Sequence, residues 1–175
     1  QAHDQQQAGA EQCGGFVQTF SELGGKVLGQ YWHPLNTQDF SPYLAQIQQA
    51  KPDIVYAMET GADGTRFIQQ WSNFGMKGKM PLCGSMNLTD QSIIRNLGSE
   101  SEGILSAAHF CEGNDAPATR KFVADYEKAY QKLPSLYGFS MYSGAMWLAK
   151  AIEAVQGKVE DRAAFLGAVR KVVLD

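Results

Sequence analysis

The sequence predicts an α/β fold in which a parallel sheet is covered by helices. Three observations carry that reading. Short apolar runs of strand length alternate with stretches of helical period. The runs are apolar on both faces, as strands buried on both sides are. With 44% apolar and 19% charged residues in 175 positions, one core can form without help from disulfides or a metal.

The elements follow in order. From Ala10 to Leu23, Phe16, Phe20 and Leu23 share one helical face, and Gly24-Gly25 supplies a C-terminal stop. Lys26–Tyr31 reads as a short strand. Ser41-Pro42 opens the next helix as a cap residue followed by proline in the first turn, Leu44, Ile47 and Ala50 form its buried stripe, and Lys51-Pro52 ends it. Asp53–Met58 is a strand-length apolar run, followed by the turn residues Thr60, Gly61, Asp63 and Gly64. A helix then carries Phe67, Ile68, Trp71 and Phe74 and closes at Gly75. Met80–Gly84 reads as a strand, Asp90–Leu97 as a helix capped by Gly98, and Gly103–Phe110 as a third strand.

This βαβαβ order implies parallel strands with right-handed connections. Beyond Phe110 three helices follow without a strand: Pro117 to Lys132, Phe139 to Val155, and Asp161 to Val173. Their apolar stripes need a partner. The expectation is therefore that the chain is part of a larger protein whose other strands lie outside these 175 residues.

Composition excludes several classes. With 18 acids against 15 bases, the net charge of −3 argues against a nucleic-acid binder, whose phosphate-reading surface shows as a basic excess. No run approaches the roughly 18 to 20 apolar residues of a membrane span. Gln1–Gln7 has no apolar signal-peptide region. Cys13, Cys83 and Cys111 are odd in number and far apart, which argues against a disulfide framework, and Cys13 and Cys83 read as buried inert thiols.

In an open parallel sheet, ligands bind outside the carboxyl ends of the strands. Three such ends carry suitable groups: Glu59, Thr60, Gly61 and Asp63 after the first strand, Ser85, Met86 and Asn87 after the second, and His109 and Phe110 after the third. The mixture suits a small polar ligand with an apolar body. Each residue has a structural alternative. Asp63 is also a candidate helix cap, as are Thr89 and Asp90; His109 suits a structural histidine, and Met86 and Phe110 suit either core or pocket wall. Glu59 is costly to bury unpaired.

Enzyme readings find little support. His109 and Cys111 are two apart, but the other histidines, His3 and His33, complete no metal-ligand spacing. GxGxxG, GxxxxGK[ST] and GxSxG are all missing, so nucleotide chemistry and a serine nucleophile have no motif, and no cofactor is expected.

The order of several stretches then narrows the reading. Phe40-Ser41-Pro42-Tyr43-Leu44, Ala50-Lys51-Pro52-Asp53-Ile54-Val55, Phe67-Ile68-Gln69-Gln70-Trp71, Gly75-Met76-Lys77-Gly78-Lys79 and Gly103-Ile104-Leu105 occur in sequence. Phe122-Val123-Ala124-Asp125-Tyr126, Pro134-Ser135 and Ala149-Lys150-Ala151-Ile152 continue it. Together they resemble the periplasmic solute-binding proteins of ABC transporters, in the branched-chain amino acid (leucine-binding-like, type I) family.

The resemblance implies two lobes that close over a ligand. Residues 1–110 would be the second α/β lobe lacking its first strand, and residues 111–175 helices that cross back to pack on the first lobe. It further implies a small-molecule ligand, a membrane permease as partner, no nucleic acid, no enzymatic activity, and a periplasmic or extracytoplasmic location with the signal peptide in the complete protein. A ligand-sensing regulatory domain of the same fold is the alternative.

Two departures from the family pattern bear on the ligand. Where members that bind aliphatic amino acids often carry an acid for the ligand's α-ammonium, the matching position is Met86. A thioether cannot supply that charge, and Glu59 substitutes for it only where its carboxylate reaches the cleft, which keeps a branched-chain amino acid as the other ligand. The loss tilts the expectation toward an aromatic or other organic carboxylate, with Met86 and Phe110 against the ring and His109, Ser85 or Thr60 as polar contacts. Gln5-Gln6-Gln7-Ala8-Gly9 stands where the family usually has an Asp-Tyr-Ala-x-Gly-like turn.

Overall fold

The computed structural model describes residues 2–174, with side chains from Gly9 onward. The side chains of Gln5–Ala8, in the turn singled out above, lie outside the described residues. The chain divides into two compact units, Gln1–His109 and Phe110–Asp175.

In the first unit, α1 (Ala2–Glu22) precedes α2 (Ser41–Ala50), β1 (Val55–Ala57), α3 (Gly61–Asn73), β2 (Leu82–Ser85), α4 (Gln91–Ile94) and β3 (Leu105–Ala107). The three strands form a parallel sheet in the order β1-β2-β3. Ala57 is level with Gly84, and Gly84 with Ser106. The core gathers the faces that helical period selects: Leu44 and Ile47 from α2, Phe67, Ile68 and Trp71 from α3, Leu82 from β2, and Leu88, Ile93 and Leu97 beyond it. Leu44, Ile68 and Leu88 are fully buried. Phe16 of α1 stacks on Tyr56 of β1 with ring centroids 4.1 Å apart.

Several boundaries differ from expectation. Lys26–Tyr31 forms no strand. Gly25 precedes it and Gly29 interrupts it as poor strand formers, Leu28 and Tyr31 are exposed, and β1 pairs with β2 alone among the described strands. Ser41 is not the cap of α2 but its first helical residue, and its N–H donates to the Asp39 carboxylate at 2.9 Å.

The helix expected over Asp90–Leu97 shrinks to Gln91–Ile94, opened by an Asp90 carboxylate that accepts the Ser92 N–H at 2.9 Å. The Ile-Ile-Arg-Asn run is a weak propagator of so short a helix. Gly98, with φ of 52°, opens a separate 3-10 turn over Gly98–Ser101 rather than capping α4. All three residues of β3 are exposed, so the cover on both faces that apolar strands predict reaches β2 but not this edge strand.

The second unit holds α5 (Pro117–Tyr130), α6 (Leu136–Ala154) and α7 (Arg162–Val169). Ser135 caps α6 by accepting the Gly138 N–H at 3.3 Å, so that helix begins three residues before Phe139, and Asp161 caps α7 by accepting the Ala164 N–H at 3.0 Å. An aromatic cluster organises this unit: Phe110 stacks on Phe139 at 4.4 Å and meets Phe122 edge-on at 5.8 Å. On α6, Met141, Met146, Trp147, Leu148 and Ile152 are exposed. Among the described residues no helix is long and apolar enough to cross a membrane.

Gly84 marks the tightest point of the sheet. A Cβ there would lie 2.5 Å from the Ala57 carbonyl oxygen and 2.5 Å from a Leu88 methyl. Gly84→Ala is therefore expected to destabilise by about 2 to 3 kcal/mol. Gly14→Ala, inside α1 with open space around its Cβ position, should stabilise by up to about 1 kcal/mol. Urea midpoints measured side by side check the pair; a Gly84→Ala protein as stable as the parent contradicts this packing.

Candidate functional site

Because the strands are parallel and in register, their carboxyl ends fall on one edge of the first unit. Glu59, Thr60 and Gly61 follow β1, Ser85 ends β2, Met86 follows it, and His109 lies two residues past β3. The register thus brings these positions to neighbouring strand ends. Phe110 begins the second unit, where its ring is packed against Phe122 and Phe139.

Each residue has a distinct local setting. Thr60 is the extended N-cap residue of α3 and makes no side-chain cap bond. Gly61 follows at φ of 53°, a left-handed conformation that lets the chain turn directly from strand to helix. Met86 is half-buried and opens a 3-10 turn over Met86–Thr89; His109 is exposed. Ser85 is 6% exposed, and its hydroxyl is buried without a hydrogen-bond partner among the described residues. A buried hydroxyl left unpaired is costly, so this one stands ready for an added partner.

Two buried acids follow β1, and both are engaged; a third buried acid, Asp90, lies beyond β2 as the cap of α4. Glu59 Oε1 is 2.8 Å from His33 Nε2. Asp63 accepts the Asn36 N–H at 2.8 Å and the Arg66 guanidinium, while Arg66 Nε also donates to the Thr37 carbonyl at 3.0 Å. Asp63 is therefore not the cap of α3; it is a first-turn residue tying the helix to the 34–37 loop.

His33 is held from both sides. Its Nδ1 is 2.9 Å from the Pro34 carbonyl and 3.2 Å from Thr37 Oγ1, which gives its own proton to that carbonyl at 2.6 Å. Both ring nitrogens thus face acceptors, which is the arrangement of an imidazolium. The bond to Glu59 raises its pKa most; burial opposes this, and the charges of Glu59 and Asp63 and the Pro34 carbonyl add to the rise. Phe40 and Tyr43 meet the imidazole edge-on at 4.8 and 5.9 Å.

Cys13 is pushed up by burial and by the charge of Glu59, and Cys83 by burial, so both stay thiols at neutral pH. Among the described residues no group of three or more His, Cys, Asp or Glu side chains could hold a metal ion.

Reading by strand ends selects Glu59 and Ser85 as candidates but not His33, Asn36 and Arg66, which partner Glu59 and Asp63. The one available signal was that a directly buried Glu59 demands a cation, and His33 and Arg66 are the nearest candidates in a loop and a helix flanking it.

Comparison with known proteins identifies the family. The periplasmic binding protein family matches residues 2–175. A Leu/Ile/Val-binding protein homolog 6 of Brucella melitensis is 31% identical over 159 residues, covering 89% of this chain and 40% of that protein. An ABC transporter substrate-binding protein from Sphaerobacter thermophilus superposes with a TM-score of 0.89 at 35% identity, covering 94% of this chain and 46% of the other. A solute-binding protein of an ABC transporter from R. palustris, in complex with benzoate, superposes with a TM-score of 0.85 at 26% identity, covering 92% and 44%. The chain spans less than half the length of each of these relatives. It belongs to the periplasmic binding protein family, among the type I members of the branched-chain amino acid group.

The His33–Glu59 pair has a titration signature. A histidine whose folded pKa lies above its ordinary 6.5 contributes stability that is fully present below 6.5 and is lost as pH rises through the raised value. Unfolding free energy is accordingly expected to fall as pH is raised from 6.5 through that value. In Glu59→Gln, the His33 pKa read by NMR should drop back toward 6.5 as burial loses its opponent, and the pH-dependent fall should flatten. An unchanged His33 titration in that variant contradicts the pairing.

Proposed function

We propose that this protein is the substrate-binding component of an ABC importer that captures a small aromatic carboxylate at the carboxyl edge of its sheet. One observation carries the reading: the two buried acids that follow β1, Glu59 and Asp63, are already bound to His33 and to Arg66 and Asn36, and the buried acid beyond β2, Asp90, accepts the Ser92 N–H as the cap of α4. The position where an acid for a ligand's α-ammonium is expected is Met86. A zwitterionic amino acid would find its ammonium uncompensated there, whereas a benzoate-like anion has no such requirement. The benzoate held by the R. palustris relative supports the same ligand class.

In this reading the Ser85 hydroxyl donates to the ligand carboxylate, Thr60 and His109 offer further polar contacts, and the thioether of Met86 lies against the ring. Residues 1–110 act as one lobe, and the helices of 111–175 pack on the other. Ligand bound to both lobes stabilises their closure by its differential affinity for the closed state. The closed form then meets a membrane permease outside the cytoplasm.

A thermal-shift series on the full-length gene product tests the ligand class. Benzoate or 4-hydroxybenzoate at 100 times its dissociation constant should stabilise by about 2.7 kcal/mol, with leucine, isoleucine and valine without effect. A shift with the amino acids alone overturns the reading. Ser85→Ala should leave the ligand-free protein as stable or slightly more so, because it removes an unpaired buried hydroxyl, while weakening benzoate binding by about 1 to 3 kcal/mol. Equal benzoate affinity in the two proteins would remove Ser85 from the site.

A further inference from the structure

The pair at the end of β1 bears on ligand choice without touching the ligand. Glu59 is buried two residues beyond the strand, where a ligand-facing acid would otherwise project its charge. His33 reaches it from a loop 26 residues earlier in the chain. The Pro34 carbonyl and Thr37 hydroxyl hold the far side of the ring, so the imidazole is fixed between oxygen atoms on both sides.

The charged and titratable groups around it come from every element packed there: Glu59 after β1, Asp63 with its partner Arg66 on α3, Tyr43 on α2, and Cys13 on α1 beside Glu59. Asp63 is balanced by Arg66, and burial keeps the Cys13 thiol protonated at pH 7. His33 is therefore the charge that decides whether the end of β1 presents a net anion.

We infer that His33 is a specificity-determining residue: by holding the Glu59 carboxylate in an ion pair, it keeps the edge electrically neutral and so admits a carboxylate ligand while denying an ammonium its counter-charge. The inference rests on the aromatic-carboxylate reading above and adds the residue that enforces it. When His33 loses its proton, Glu59 becomes an uncompensated buried anion. Carboxylate binding then weakens and a zwitterion gains a partner. The sign follows from the upward displacement of His33: selectivity for carboxylates is greatest at low pH and declines as pH rises through the raised value.

The test is calorimetric titration of the full-length gene product with benzoate and with leucine between pH 6 and 9. His33→Gln keeps an N–H donor for Glu59 but carries no charge; it should bind benzoate about tenfold more weakly at pH 6, the size of an ordinary coupling between sites, and lose the parent's pH dependence. His33→Gln/Glu59→Gln removes both charges and should regain the parent's pH 6 affinity at every pH. A purely structural role predicts the opposite, a double variant at least as weak as the single one. That result, or a His33→Gln protein that keeps the parent's affinity and pH profile, overturns the inference while leaving the ligand class standing. A parent protein that binds leucine and not benzoate overturns both.

Discussion

Three short parallel strands must end on the same side, and everything proposed for this protein depends on that constraint. The central strand can lie between its neighbours because Gly84 has no side chain to strike the Ala57 carbonyl or Leu88. With that approach secured, the register aligns Ala57, Gly84 and Ser106, and the residues that follow each strand meet at one edge. The helices α2 and α3 reinforce the arrangement by burying Leu44, Ile47, Phe67, Ile68 and Trp71 in one core.

Electrostatics then determines what that edge can accept. Burying an unpaired carboxylate is prohibitive, so each of the two acids after β1 carries a partner drawn from the loop before α2 or from α3 itself. The pairing engages both side chains within the fold. Beside them lie a buried hydroxyl at Ser85 and the half-buried thioether of Met86. On that arrangement rests the proposal of an anion with an aromatic body rather than a zwitterion.

The parts legible in the sequence were those governed by local rules. Pro42, Lys51-Pro52 and Gly75 bound α2 and α3 because proline and left-handed positions act on their immediate neighbours, and the apolar periodicity of those helices matches the core they bury. The strand-end rule offers Glu59 and Ser85 only as candidates, and the structure adds that both are buried. Lys26–Tyr31 misled because strand-like composition does not supply a neighbour to pair with, and α4 misled because a weakly propagating run stops after one turn. The His33–Glu59 bond was illegible: it joins positions 26 apart through tertiary folding, and no periodicity or spacing encodes such a meeting.

The central claim is that Ser85, not an acid, meets the charged end of the ligand while His33 retains Glu59. A crystal structure of the full-length gene product grown with benzoate tests it most directly. The account predicts the ligand carboxylate within hydrogen-bond distance of Ser85 Oγ, the ring against Met86, and the His33–Glu59 bond intact. Benzoate seated away from this edge, or a Glu59 side chain released from His33 to face the ligand, would contradict it.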